Sequence, residues 1–295
     1  QNRMKKILLF ILMLVLGTVS FAENIVITSI QPLYSLTSYL TKGTDIKVYT
    51  PFGSETSMTM SKEAIREEGF DLSVAKKAQA VVDIAKVWPE DVIYGKARMN
   101  KINIVEIDAS YPYDEKMTTI FFNDYSNGKV NPYIWTGSKN LVRMVNIISR
   151  DLIRLYPQNK AKIEKNVTKF TNDLLKIENE ANEKLLSVDN TSVISLSENL
   201  QYFLNDMNIY AEYVDYDSVT AENIANLVRD KGIKVVISDR WLKKNVIKAL
   251  KDAGGEFVII NTLDIPMDKD GKMDPEAILK GFKENTDNLT EALSK

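Results

Sequence analysis

Short apolar runs alternate with amphipathic segments along most of the chain. Runs rich in Val and Ile are typical of parallel strands that are buried on both faces. They predict strands at residues 25–29, 46–50, 80–84, 104–108, 192–196, 234–238 and 257–260. Helical segments at 221–230 and 242–253 separate the later strands, and glycines follow both of them. This βαβ order predicts the α/β class, with parallel sheets covered by helices.

The middle of the chain has a helical pattern instead. A helix opens at Gly137-Ser138 and runs to Tyr156, and a second helix follows Pro157 over residues 159–186. At about 1.5 Å per residue, the second helix is roughly 40 Å long. Its apolar residues recur at steps of four and three and form one stripe: Ile163, Val167, Phe170, Leu174, Ile177, Ala181 and Leu185. We therefore expect two lobes joined by one long interlobe helix, with an ordinary surface helix or a coiled coil as the alternatives.

The first residues have the pattern of an export signal. Arg3, Lys5 and Lys6 precede an apolar run at 7–16, and Ser20-Phe21-Ala22 resembles a cleavage site. This run is too short to span a bilayer, which takes about 20 residues, although a buried helix or an uncleaved anchor is the alternative. We predict a signal peptide at 1–22, an N-terminal lobe at 23–157, a connecting helix at 158–187 and a C-terminal lobe at 188–295. The protein is then expected to be periplasmic or secreted.

The chain contains neither histidine nor cysteine among its 295 residues. Without cysteine there are no disulfides, thiolate nucleophiles or Cys-ligated metal sites, and a lipoprotein anchor at the cleavage site is not expected. Without histidine the usual general base is missing, so we predict that the protein is not an enzyme. A formal charge of −2 argues against nucleic acid as a partner. No Gly-rich phosphate loop precedes a helix, and no cofactor is predicted.

Five short segments resemble one family of receptors. They are 51–57, 131–140, 159–167, 197–203 and 260–263, and the second contains Asn131-Pro132-Tyr133-Ile134-Trp135. In order and spacing they are similar to the zinc- and manganese-receptor family of periplasmic solute-binding proteins that serve bacterial ABC importers. The resemblance covers about residues 23–292. It implies a monomeric receptor that captures a ligand in the cleft between two lobes and delivers it to a membrane permease.

The four positions that correspond to the family's metal ligands are all substituted. Where the resemblance implies His, His, His or Glu, and Asp, this chain has Ser57, Tyr133, Ser197 and Asn261. Zinc and manganese are bound by imidazole nitrogen and carboxylate oxygen, and neutral hydroxyl and amide groups supply no negative charge to a dication. The sequence therefore predicts that zinc and manganese are not bound through the usual His and carboxylate site.

Three interpretations of the altered site remain open. A polar organic ligand is held by the hydroxyl and amide groups, with Trp135, Tyr202 and Trp241 as walls. Alternatively, an atypical cation is bound by oxygen alone, through Glu198, Glu55 or Asp239 and with Tyr133 as a phenolate towards ferric iron. In the third, the site has lost its ligand and the scaffold serves surface adhesion or assembly. The predicted ligand-binding residues are Ser57, Tyr133, Trp135, Ser197, Glu198, Asp239 and Asn261.

Overall fold

Two four-stranded parallel sheets dominate this computed structural model, which describes residues 23–295. The predicted signal peptide, 1–22, lies outside the described residues. The N-terminal lobe contains the first sheet, in the order β2-β1-β3-β4, and the C-terminal lobe contains the second, in the order β6-β5-β7-β8. The strands are β1 (Asn24–Thr28), β2 (Ile46–Tyr49), β3 (Ala80–Asp83), β4 (Val105–Asp108), β5 (Ser192–Ser195), β6 (Tyr210–Tyr213), β7 (Val235–Ser238) and β8 (Glu256–Ile259).

Helices connect the strands and cover the sheets. They are α1 (Gln31–Leu40), α2 (Met58–Ala64), α3 (Ile93–Asn100), α4 (Ser138–Leu155), α5 (Lys160–Leu185), α6 (Gln201–Asp206), α7 (Ile224–Lys231), α8 (Lys244–Asp252) and α9 (Ala277–Leu293). The order of strands and helices confirms the predicted α/β class with two parallel sheets.

All seven predicted strands are present, and one further strand was not predicted. The central strands β3 and β7 are buried at every position, as their Val-rich runs require. The strand that the sequence did not indicate is β6, which pairs only with β5 at the edge of its sheet. Its sequence Tyr-Ala-Glu-Tyr is half-buried or exposed throughout, so it has no apolar run to mark it.

The long helix α5 joins the two lobes through one shared core. It spans 26 residues within the predicted connecting segment 158–187. Five positions of the predicted stripe are buried, and Val167 and Leu185 pack half-buried against the same core. That core includes Val26 of the first sheet and Val193 of the second. Since α5 also packs against α1, α4 and α9, its apolar face contacts both lobes, as predicted.

Two hydrogen bonds link the lobes beside this core. The backbone N–H of Met58, at the start of α2, donates to Oδ1 of Asp264, which follows β8, over 2.9 Å. The indole Nε1 of Trp135 donates to the carbonyl oxygen of Thr262 over 2.8 Å. The buried bond between Met58 and Asp264 is costly to break, because a buried donor or acceptor left unsatisfied is unfavourable. The loops around the cleft are therefore held in one arrangement.

The segment before α4 is fixed against α6 by close contact. The hydroxyl of Tyr202 donates to the carbonyl oxygen of Asn131 over 2.7 Å. A Cβ at Gly137 would lie 2.8 Å from Oδ2 of Asp206 and 2.9 Å from Cβ of Tyr202, too close for any side chain. Glycine at this position therefore allows α4 to begin directly against α6.

Two neighbouring leucines of α5 test the role of its buried face. Leu174 is 0% exposed and Leu175 is 52% exposed. We expect Leu174→Ala to lower the free energy of unfolding by about 2–5 kcal/mol, because it leaves a cavity in the shared core. Leu175→Ala on the same helix should change it by less than about 0.5 kcal/mol. Urea unfolding of both variants checks the prediction, and equal losses would contradict the orientation of α5.

The Asp264 carboxyl gives the interlobe contact a pH dependence. Burial raises its pKa from 3.8 to about 6, although the hydrogen bond from the Met58 N–H lowers it. The folded protein therefore binds this proton more tightly than the unfolded chain, and the resulting stability is lost as pH rises from about 4 through about 6. Asp264→Asn keeps an acceptor for Met58 but does not titrate. Its free energy of unfolding relative to wild type should rise over this interval, by at most about 3 kcal/mol.

Urea unfolding at several pH values measures this difference directly. Asp270→Asn, at an exposed position in the same segment, is the control and should show no such rise. If the difference between Asp264→Asn and wild type is the same at pH 4 and pH 7, the raised pKa is wrong.

Candidate functional site

A polar cavity of about 860 Å³ opens at the carboxyl ends of β5, β6 and β7. In open parallel sheets, ligands bind outside the carboxyl ends of the strands, where functional groups gather. Residues from the segment 125–133 face these strand ends across the cavity. The lining consists of Tyr125, Ser126, Asn127, Tyr133, Ser195, Leu196, Ser197, Glu198, Asn199, Tyr213, Val214, Asp215, Tyr216, Asp239 and Arg240.

Four of the predicted ligand-binding residues line this cavity together: Tyr133, Ser197, Glu198 and Asp239. The Ser197 hydroxyl follows β5 and donates to Oδ2 of Asp239, which follows β7, over 2.8 Å. The Nδ2 group of Asn199 donates to the same oxygen over 2.9 Å. Because β5 and β7 are adjacent parallel strands, the side chains that follow them lie close together.

Trp135 lies behind the cavity rather than in it. Its side chain is completely buried, and its ring centroid is 5.2 Å from that of Tyr133. Its indole N–H is already bonded to Thr262. Trp135 therefore positions Tyr133. The two other predicted walls are elsewhere, since Tyr202 is buried against Asn131 and Trp241 is exposed beside Phe257.

Ser57 and Asn261 do not line the cavity. The Ser57 hydroxyl caps α2 by accepting from the Met60 N–H over 3.3 Å. The Asn261 side chain forms a local turn, in which its Oδ1 accepts from the Leu263 N–H over 2.7 Å. Asn261 instead borders a second cavity, beside α9. Both side chains are used by their own backbone, a pattern that Ser and Asn commonly adopt at caps and turns.

Several lining residues were not predicted from the sequence. Tyr213 and Asp215 accompany β6, the strand that the apolar pattern did not reveal. Tyr125 lies in the turn before the motif that contains Tyr133, and its hydroxyl donates to Oδ1 of Asn199 over 2.7 Å. Asp264 lies outside the lining but acts on Tyr133 electrostatically. The sequence could have indicated Asp264, because it is the first acidic residue after the last strand.

Three phenols of the cavity are kept protonated, those of Tyr133, Tyr125 and Tyr213. Burial raises the pKa of Tyr133 above its ordinary value, and the carboxylates of Asp264 and Asp239 raise it further. Burial likewise raises the pKa of Tyr125, and burial with Glu198 raises that of Tyr213 to about 12. At neutral pH these groups are hydrogen-bond donors. A Tyr133 phenolate that binds ferric iron is disfavoured by the same surroundings.

The acidic residues of the cavity do not form a converging metal-ligand set. Across residues 23–295, one group of three acidic side chains has its ligand atoms close together, and it is Asp83, Glu106 and Asp108, outside the cavity. Within the cavity, Glu198 accepts from the Ser126 N–H over 2.9 Å. Glu55, which the sequence offered as a further oxygen ligand, does not line it. The site can therefore bind by hydrogen bonds, charge and aromatic faces.

No helix in the described part of the chain is both long and apolar enough to span a membrane. The connecting helix α5, although long, carries Lys, Glu, Asn and Asp on its other faces. Its length allows it to pack against both lobes and the core that they share.

Solved structures of bacterial metal receptors have the same fold. YcdH, a metal-dependent lipoprotein from Bacillus subtilis, is 16% identical, with a TM-score of 0.72 over 92% of this chain and 100% of its own. FpvC from Pseudomonas aeruginosa, in complex with Mn²⁺, is 15% identical, with a TM-score of 0.70 over 92% and 98%. The Zn(II)-bound ZnuA-like domain of Streptococcus pneumoniae AdcA is 15% identical, with a TM-score of 0.69 over 92% and 100%. At these identities the likeness establishes the fold.

The family follows from the sequence itself. No curated protein sequence matches the chain significantly. The family of the zinc-uptake complex component A, periplasmic, matches over residues 26–292. Its members are solute-binding proteins and not enzymes, which agrees with the prediction from the absence of histidine and cysteine. The chain belongs to this family of periplasmic metal-binding solute-binding proteins of ABC importers.

Proposed function

We propose that this protein captures a small polar organic solute with a cationic amino group in its cleft cavity and delivers it to the membrane permease of an ABC importer. The observation that carries the proposal is the cavity itself. Its volume of about 860 Å³ lies in the range of small-molecule sites and far exceeds that of a metal ion. Zinc and manganese, the cargo that the family implies, require a converging donor set that these residues do not supply.

The charge of the lining favours a cation over an anion. Three carboxylates line the cavity, those of Glu198, Asp215 and Asp239. The basic residue in the described lining is Arg240. Arg240 is itself stacked over the ring of Tyr216, with 3.9 Å from its guanidinium carbon to the ring centroid. The excess negative charge raises the local concentration of cationic solutes.

Asp239 is the residue best placed to bind an amino group. Its Oδ2 accepts from Ser197 and Asn199, and its Oδ1 has no partner in the part of the chain that the structure describes. A charge-assisted hydrogen bond from an ammonium group fits this free oxygen. The protonated phenol of Tyr133, buried behind it, adds a donor and an aromatic face.

The fixed cleft matches capture without wide closure. The bonds from Met58 to Asp264 and from Trp135 to Thr262 cross between the lobes, and α5 packs against both. Binding then adjusts the loops that line the cavity rather than rotating one lobe against the other.

Thermal unfolding of the purified protein with a chemical panel tests this function. The panel contains putrescine, spermidine, basic amino acids, sugars, nucleosides, ZnCl₂ and MnCl₂. We expect an amine to raise the melting temperature, since a ligand at 100 times its Kd stabilises the native state by about 2.7 kcal/mol. Zinc should leave the melting temperature unchanged, and any effect of manganese should persist in Asp239→Asn.

A conservative variant assigns the effect to the cavity. Asp239→Asn keeps acceptors for Ser197 and Asn199 but removes the charge, and it should weaken amine binding by about tenfold or more. Asp270→Asn, exposed and outside the lining, is the matched control and should bind as wild type does. Tight zinc or manganese binding that Asp239→Asn abolishes would overturn the proposal. A panel without any effect would favour a ligand-free adhesion or assembly protein on the same scaffold.

A further inference from the structure

Three carboxylates meet at the carboxyl end of the first sheet, outside the cleft cavity. Asp83 ends β3 and Asp108 ends β4, and the two residues are register partners in adjacent parallel strands. Glu106 lies two residues before Asp108 on the same strand, so its side chain points to the same face of the sheet. One oxygen from each carboxylate lies within 4.8 Å of the others.

Asp83 is the unusual member of this group. Its side chain is 0% exposed, and neither of its carboxylate oxygens accepts a hydrogen bond of normal geometry, although the Ala85 N–H and the Glu106 carboxyl lie close by. A buried carboxylate without partners is strongly unfavourable unless a proton or a cation neutralises it. The folded protein therefore creates a place for positive charge between these side chains.

The neighbouring carboxylates are already held in place by the backbone. Asp108 accepts from the Ser110 N–H and from the Lys86 N–H, each over 2.8 Å. Asp91 accepts from the Ser29 hydroxyl and from the Ile84 N–H. These bonds fix the orientation of the carboxylates and leave further lone pairs for a ligand. Asp83 alone is left unsatisfied, and it points towards the oxygens of Glu106 and Asp108.

No basic side chain pairs with the three acids within residues 23–295. The described ion pairs include none with Asp83, Glu106 or Asp108. Lys86 and Arg98 act on Glu106 as nearby charges and form no ion pair with it. Glu106 is exposed, so the group has a route to solvent and room for water ligands.

We propose that Asp83, Glu106 and Asp108 form a binding site for a hard divalent cation of the Ca²⁺, Mg²⁺ or Mn²⁺ class, coordinated by oxygen alone. Such cations take carboxylate and water oxygens, and their charge offsets the three acids at once. The site shares no residue with the cleft cavity. It is a site in the N-terminal lobe, independent of the cargo that the receptor carries.

The competing arrangement is a proton shared by Asp83 and Glu106. It neutralises the pair without a metal, and it predicts that added cations have no effect at neutral pH. A cation must displace this proton, so its binding should release protons and weaken at low pH. The two arrangements thus differ in whether an added cation binds at neutral pH and releases protons, which calorimetric titration measures.

The experiment uses the full chain after treatment with EDTA and buffer exchange. Calorimetric titration and thermal unfolding are measured with CaCl₂, MgCl₂ and MnCl₂ at millimolar concentration near pH 7.5. We expect at least one of these salts to bind stoichiometrically and to raise the melting temperature. Asp83→Asn and Glu106→Gln keep the side-chain volume and should each weaken binding by about tenfold or more.

Two controls separate this site from the cleft and from general surface charge. Asp239→Asn and Asp270→Asn should keep the full response to the cation. Asp83→Asn should fold, because it replaces a buried acid with a neutral group of the same size, and its melting temperature without cation should be close to that of wild type. The proposal is overturned if no cation affects wild type, or if Asp83→Asn and Glu106→Gln respond as wild type does.

Discussion

The buried face of α5 is the constraint on which the rest of the molecule depends. Most of the stability of a helix in a protein comes from tertiary packing of its apolar face, and in this 26-residue helix that face is one apolar stripe. Here the stripe enters a core that contains strands from both sheets. The edge of Phe170 meets the Tyr39 ring, with 5.2 Å between centroids, and Asn166 donates to the carbonyl oxygen of Leu40 at the end of α1. The lobes are therefore fixed by packing, and the cleft between them has a defined shape.

This fixed cleft holds the residues of the proposed binding site in place. Buried Trp135 holds Tyr133 from behind, and the two strands β5 and β7 bring Ser197 and Asp239 into contact. Binding groups that are held in place before the ligand arrives lose little conformational freedom when it binds. The site is thus a product of the sheet and of the shared core more than of its own loops.

The sequence was sufficient to predict the strands and helices that are buried, because burial leaves a pattern of apolar residues. Val- and Ile-rich runs predicted the central strands, and the stripe from Ile163 to Leu185 predicted α5. The edge strand β6 was missed because its Tyr-Ala-Glu-Tyr sequence is not buried on either face. A pattern of apolar residues reports burial, and it is silent where a strand is half-exposed.

Site residues were predicted less completely, for a different reason. Tyr133, Ser197, Glu198 and Asp239 follow strands or a buried motif, so their placement depended on the fold. The directions of the Ser57 and Asn261 side chains depend on local hydrogen bonds to Met60 and Leu263, which motif spacing does not encode. The cluster at Asp83 requires the register of β3 with β4, a tertiary fact that one sequence does not carry.

The two sheets have the same strand order, so equivalent positions follow their central strands. In each lobe, a serine after the first central strand donates to an aspartate after its neighbour, Ser29 to Asp91 in one and Ser197 to Asp239 in the other. In the N-terminal lobe this pair is sealed from water, whereas in the C-terminal lobe it borders an open cavity. The same strand order therefore gives a buried Ser–Asp hydrogen bond in one lobe and a solvent-accessible one, at the cavity, in the other. Access to solvent, and not the Ser–Asp pair itself, distinguishes them.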